Sequence, residues 1–213
     1  MKKSLLGYYD YTVILTYCGM LFAFYGILQV IDENYWVAVC CLMLAGICDM
    51  FDGTVAATRQ RTDRERKFGI QIDSLSDLIS FGILPSTFVY MISGKNAFAA
   101  FVSSIFVLCA LIRLAYFNVL EEERQAETAE KRKSYLGVPV TTIAVLMPAV
   151  YLLHDLKLFR NVICFPILLL CMGTGCLLPV EIKKPGRAGK TGILLLGLFE
   201  VLGMLFFMGG NTL

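Results

Sequence analysis

Four aspartates stand in two pairs: Asp49 and Asp52 are three residues apart, Asp73 and Asp77 four apart. On a helix, either spacing places both carboxylates on one face. Each pair lies near the end of a long apolar run, where ionisable side chains are costly and usually serve function. A short loop carrying Arg59, Arg61, Arg64, Arg66 and Lys67 joins the runs, so antiparallel helices would turn the two pairs toward each other. Four converging carboxylates repel one another, and hard divalent cations resolve the conflict. Oxygen donors suit Mg²⁺ or Mn²⁺, and no His or Cys is spaced for zinc. Gly53 and Ala56 after the first pair, with Gly69 one turn before the second, leave room for a backbone or a ligand. Metals beside a cationic rim at a membrane surface suit a phosphate-bearing substrate, because paired metals stabilise both attacking and leaving oxygens.

The elements that must position these acids follow from composition. Of 213 residues, 57% are hydrophobic and 17% charged, with a mean hydropathy of +0.69. Soluble domains run at roughly 45–50% and about 25%, so this chain has too little polar surface for a water-soluble globule. A bilayer core takes about 20 apolar residues per helix. The uncharged runs predict an all-α bundle of transmembrane helices near residues 11–31, 35–56, 70–93, 96–118, 136–154, 161–180 and 190–209. That makes seven spans, or six if the last lies at the interface, in one membrane domain over 1–213.

Charge sets the expected orientation. Fifteen of the nineteen Lys and Arg fall at the N-terminus and in alternate loops, which places those loops in the cytoplasm. The N-terminus is then inside, and the acids lie at the cytoplasmic ends of spans 2 and 3. Met1-Lys2-Lys3 is similar to a signal-peptide start, but no small-residue cleavage site follows, so it is expected to be retained. The net charge of +2 is too small to imply nucleic acid. Eight cysteines without CxxC spacing read as small buried hydrophobes, His154 as a loop residue, and 121–133 as a connector or short helix. Glu200 is an acid inside the last span with no chemistry assigned.

Written out, the acids sit in Asp49-Met-Phe-Asp52-Gly53-Thr-Val-Ala56 and Gly69-Ile-Gln-Ile-Asp73-Ser-Leu-Ser-Asp77. The stretch resembles the signature of the CDP-alcohol phosphatidyltransferases, D-x2-D-G-x2-A-R-x8-G-x3-D-x3-D, at seven of eight fixed positions. The family arginine is replaced by Ala57, with Arg59 two residues on, and the gap before Gly69 is three residues longer. Ser80–Pro85, Arg113-Leu-Ala-Tyr-Phe-Asn118 and Tyr135–Val140 are similar to stretches of the phosphatidylserine synthase branch. The likeness runs to about residue 150, and 155–213 is generically apolar.

The resemblance implies transfer of a phosphatidyl group from CDP-diacylglycerol to the hydroxyl of L-serine, releasing CMP. It implies two divalent cations, Mg²⁺ or Mn²⁺, with Asp49 and Asp73 bridging them, Asp52 completing one site and Asp77 the other. Asp77 would also be the general base. Asp49, Asp52, Gly53, Ala56, Arg59 and Gly69 would receive the CDP-lipid, with Arg59 standing in for the missing arginine. Arg113 and Asn118 are candidates for the acceptor. A homodimer in a bacterial plasma membrane is the expected setting. Two alternatives remain at this point: another acceptor such as glycerol phosphate or inositol phosphate, and a cation transporter using the acids as an ion path. Transporters usually coordinate near the midplane, whereas these acids lie near one face.

Overall fold

A computed structural model describes residues 7–127, 134–158 and 161–210. Asp10 caps the first helix, α1 (Tyr11–Ile31), by accepting the Thr12 amide at 2.9 Å. After a tight turn, α2 (Tyr35–Ala56) returns and carries Asp49 and Asp52 in its last turns. Thr62 and Glu65 then form a reciprocal capping box that starts α3 (Asp63–Asp77). The box satisfies amides that a helix start leaves orphaned, so this helix begins seven residues before the expected span. Immediately after Asp77 the chain widens into a π-helical turn (Leu78–Ile83) before α4 (Leu84–Ile92). Pro85 has no amide hydrogen for the usual helical bond, and such a loss is accommodated by a wider turn.

Next comes α5 (Ala97–Glu127), longer than expected because residues 121–127 continue it, with Arg124 paired to Glu121 at 2.5 Å. Strand β1 (Ser134–Leu136), a 3₁₀ turn (Val140–Thr142), α6 (Ile143–Asp155) and α7 (Cys164–Leu177) follow. Strand β2 (Glu181–Lys183) and α8 (Arg187–Gly210) complete the described chain. All seven apolar runs are therefore helical, in a polytopic membrane bundle. Among the described residues, five helical stretches are long enough to cross, α3 to α4 counting as one from Asp63 to Ile92. The other two, α6 with 13 residues and α7 with 14, reach only about 20 Å at 1.5 Å per residue. The long sides of the bundle expose large apolar side chains such as Leu21, Phe24, Phe101 and Phe199, as lipid contact requires.

Close helix approach holds the bundle, since lipid tails offer no hydrophobic incentive for helices to associate. A β-carbon on Gly26 would stand 2.9 Å from Cys41 Cβ, and one on Gly46 2.8 Å from Ala144 Cβ. These contacts fasten α1 and α6 to α2. Phe88 meets Tyr35, Tyr151 and Phe165 edge-on, at centroid distances of 5.4, 5.7 and 5.8 Å. Four cysteines are buried and three half-buried, but Cys171 is exposed on the outer face of α7, against expectation. The cause is local: α7 is apolar all round, so periodicity gives no inner face. His154 lies in the last turn of α6, not in a loop, with its ring 5.4 Å from Phe165.

At one end of the bundle a short antiparallel strap pairs β1 with β2, Tyr135 opposite Ile182. Gly137 ends β1 at a φ of +75°, and a β-carbon there would meet Cys176 O at 2.6 Å. Only glycine satisfies both demands. The strap draws the start of α8 to the end of the bundle that bears the aspartates.

Candidate active site

The acids are assembled by α2 and α3, which run antiparallel. Carboxylate oxygens of Asp49, Asp52 and Asp73, all half-buried, lie within 4.8 Å of one another. Asp52 and Asp73 are within hydrogen-bonding reach of each other. Asp77, one turn deeper on α3, stands outside this trio, and its strongest acidic neighbour is Asp49. The acids therefore stand on two rungs, Asp52 and Asp73 toward the helix ends and Asp49 and Asp77 one turn deeper on their own helices. Thr16 on α1 orients one rung: its hydroxyl donates to Asp52 at 3.3 Å, and its carbonyl accepts from Ser76 at 3.2 Å. Nothing in the sequence marked Thr16, because one hydroxyl in an apolar run has no periodic signature.

The donor set fits a divalent cation. Three clustered carboxylate oxygens are hard ligands suited to Mg²⁺ or Mn²⁺, and Asp77 adds a fourth within electrostatic range. Beside Asp52, the place a Gly53 β-carbon would take is open, with no atom within 4 Å. Ala56, a turn on, is half-buried.

The basic rim divides its work. Arg59 pairs with Asp10 at 2.5 Å and with Glu65 at 3.4 Å, closing the corner between α1, α2 and α3. Tyr11 and Thr58 hydroxyls meet at 3.1 Å in the same corner. The cation against Gly69 is Arg61, whose Nη1 lies 3.1 Å from where a β-carbon would stand. The loop, three residues longer than the family spacing, brings Arg61 back onto α3.

Arg113 and Asn118 do not share a face of α5. Arg113 is 8% exposed, turned inward within electrostatic range of Asp77 and Cys176. Asn118 lies at the seam with α3, accepting from the Ser74 hydroxyl at 2.7 Å. An open groove of about 330 Å³ flanks that seam, with Leu78 and Leu111 beyond Ser74 and Asn118. Lys131, Arg132 and Lys133, the cations expected to serve a phosphorylated acceptor, lie outside the described residues. One cation comes from an unexpected place: Lys190, in the first turns of α8, donates to the Met50 carbonyl of α2 at 2.9 Å. Glu200 on the same helix is 2% exposed, and its carboxylate oxygens have no hydrogen-bond partner among the described residues.

Apolar helices with four aspartates gathered at one end form a polytopic membrane bundle with an acidic site, and sequence comparison places it in a family. The chain belongs to the CDP-alcohol phosphatidyltransferase family, whose profile matches residues 11–176. A CDP-diacylglycerol–serine O-phosphatidyltransferase of Saccharomyces cerevisiae is 35% identical over 123 residues, 56% of this chain and 44% of that protein. One of Helicobacter pylori is 34% identical over 147 residues, 68% of this chain and 56% of that protein. An archaetidylserine synthase of Methanothermobacter thermautotrophicus is 35% identical over 127 residues, 59% of this chain and 51% of that protein. The chain spans about half the length of these curated relatives. No solved structure matches it.

Proposed function

We propose that the protein is a CDP-diacylglycerol–serine O-phosphatidyltransferase that works at the cytoplasmic face of its membrane. The observation that carries this reading is the carboxylate trio Asp49, Asp52 and Asp73 with Asp77 one turn deeper, in a chain similar to three serine-linked lipid synthases. The position of the acids at the end of α2, beside a basic loop, favours an enzyme over an ion path.

Asp49, Asp52 and Asp73 would hold divalent cations, with Asp77 completing the second position. Bound cations would supply electrostatic stabilisation of charge on the phosphoryl oxygens. The open space at Gly53 receives the cytidine nucleotide, Ala56 keeps the helix surface low, and Arg61 beside Gly69 adds charge, while Arg59 holds the corner closed. Serine's hydroxyl oxygen forms the new bond to the phosphatidyl phosphorus as the bond to CMP breaks. Asp77 takes the hydroxyl proton, and the buried guanidinium of Arg113 nearby binds serine's carboxylate. Asn118 acts on α3 through Ser74. Family resemblance also supports a homodimer, which sizing in detergent tests.

Purified protein incubated with CDP-diacylglycerol and a panel of alcohols, with Mg²⁺ or Mn²⁺, tests the reading. Phosphatidylserine and CMP are expected only with serine, and excess EDTA should abolish both. Product from glycerol phosphate instead, or full turnover in EDTA, would overturn the acceptor or the metal assignment respectively.

A further inference from the structure

Lys190 is a puzzle for a site made to bind cations. Its ammonium sits on the Met50 carbonyl at 2.9 Å, on the turn of α2 between Asp49 and Asp52, and within electrostatic range of both. Lys184 lies within range of Asp49 as well, anchored 5.4 Å over the Tyr135 ring. A fixed cation here opposes the binding of divalent cations by like-charge repulsion. A site that only held metals would do better with neutral residues. The arrangement becomes favourable once an anion joins the metals.

We propose that Lys190, with Lys184 also in range of Asp49, binds the diphosphate of the CDP-lipid. The inference rests on the reading of the site as a CDP-lipid site. It goes beyond it, because both lysines lie outside the 11–176 stretch that matches the family. The charges balance: two divalent cations neutralise the four aspartates, and the two lysines match the two negative charges of a diphosphate diester. The chemistry of the ammonium suits the task. It has three donors; one goes to Met50, and two are left for phosphate oxygens. The Met50 bond also holds the side chain in place beforehand, which lowers the entropy lost on binding. The strap of β1 and β2 then has a clear use, since Lys184 directly follows β2 and the strap delivers the start of α8 to the site.

The test uses the full chain in detergent, with Lys190→Gln, which keeps an amide donor for Met50 but loses the charge, and Lys190→Arg, which keeps the charge. CDP-diacylglycerol binding in the presence of Mn²⁺ is measured by calorimetry, and Mn²⁺ binding without lipid by the same method. Lys190→Gln should weaken CDP-diacylglycerol about 10- to 100-fold, the scale of one charge-assisted hydrogen bond. It should bind Mn²⁺ at least as tightly as the parent, and Lys190→Arg should restore most of the lipid affinity. A role confined to shaping α2 would instead lower Mn²⁺ and lipid affinity together in Lys190→Gln, and that result overturns the inference. Unchanged lipid affinity in Lys190→Gln overturns it too, while leaving the reading of the site intact. Failure of the parent protein to bind CDP-diacylglycerol would remove both.

Discussion

The Ser74 hydroxyl donates a 2.7 Å hydrogen bond to Asn118 Oδ1, tying the helix of Asp73 to the helix of Arg113. If Asn118 serves the reaction by holding α3, Ser74→Ala and Asn118→Ala should each lower kcat several-fold, the scale of about 1 kcal/mol for one hydrogen bond. The double variant should be little worse than either, because residues sharing one interaction are not additive. A rise in the KM for serine confined to Asn118→Ala would instead place that amide on the acceptor.

Asp77 and Asp52 occupy different rungs, and their amide variants should differ in kind. Asp77→Asn keeps an oxygen ligand but cannot take a proton, so kcat should fall about 10²–10⁴-fold with a modest change in CDP-diacylglycerol affinity. Asp52→Asn breaks up the trio that would hold the cation and should weaken lipid binding as well. Titration of CDP-diacylglycerol against CMP release separates the two. Equal loss of binding in both variants would make Asp77 only a ligand.

The strap depends on one backbone angle. Gly137→Ala forces a side chain into a left-handed conformation and against the Cys176 carbonyl, at a cost of about 1–3 kcal/mol. The thermal midpoint in detergent should drop, and the affinity for CDP-diacylglycerol should fall with it as the strap loosens around Lys184. An unchanged midpoint would show that the strap relaxes freely.

Acid sensitivity is expected at the start of α1. The Thr12 hydroxyl and amide, with Arg59 nearby, hold the Asp10 carboxyl below its ordinary range. A depressed carboxylate stabilises the fold above its unfolded pKa, and that contribution is lost as pH falls through the folded value. Asp10→Asn keeps a capping side chain but cannot titrate. The stability advantage of the parent over Asp10→Asn should therefore be full at neutral pH and shrink below about pH 4. Thermal midpoints measured across that range would show it, and a constant difference would contradict the role of the charge.

Features confined to one helix were readable along the chain. The seven apolar runs are helices because each is long and carries few interior charges. The aspartate spacings of three and four place each pair on one face because helical geometry is local. The Thr62 and Glu65 box was equally local, and it moved the start of α3 away from the edge of the apolar run. Hydropathy also could not show that α6 is short, since Leu136 belongs to the strap and Pro139 leads into a 3₁₀ turn before the helix.

Packing between distant segments decided the rest. Arg59 and Arg61 are two residues apart and equal in charge, yet one is held by Asp10 and Glu65 while the other lies on Gly69. Arg113 and Asn118 belong to one motif, but five helical positions turn them to different faces, and only the neighbours reveal which is which. Thr16 reaches Asp52 across 36 residues, and Lys190 reaches Met50 across 140. Composition and periodicity report a residue's relation to its own helix. Which carbonyl an ammonium meets depends on how helices far apart in sequence come together, and that exists only in the assembled bundle.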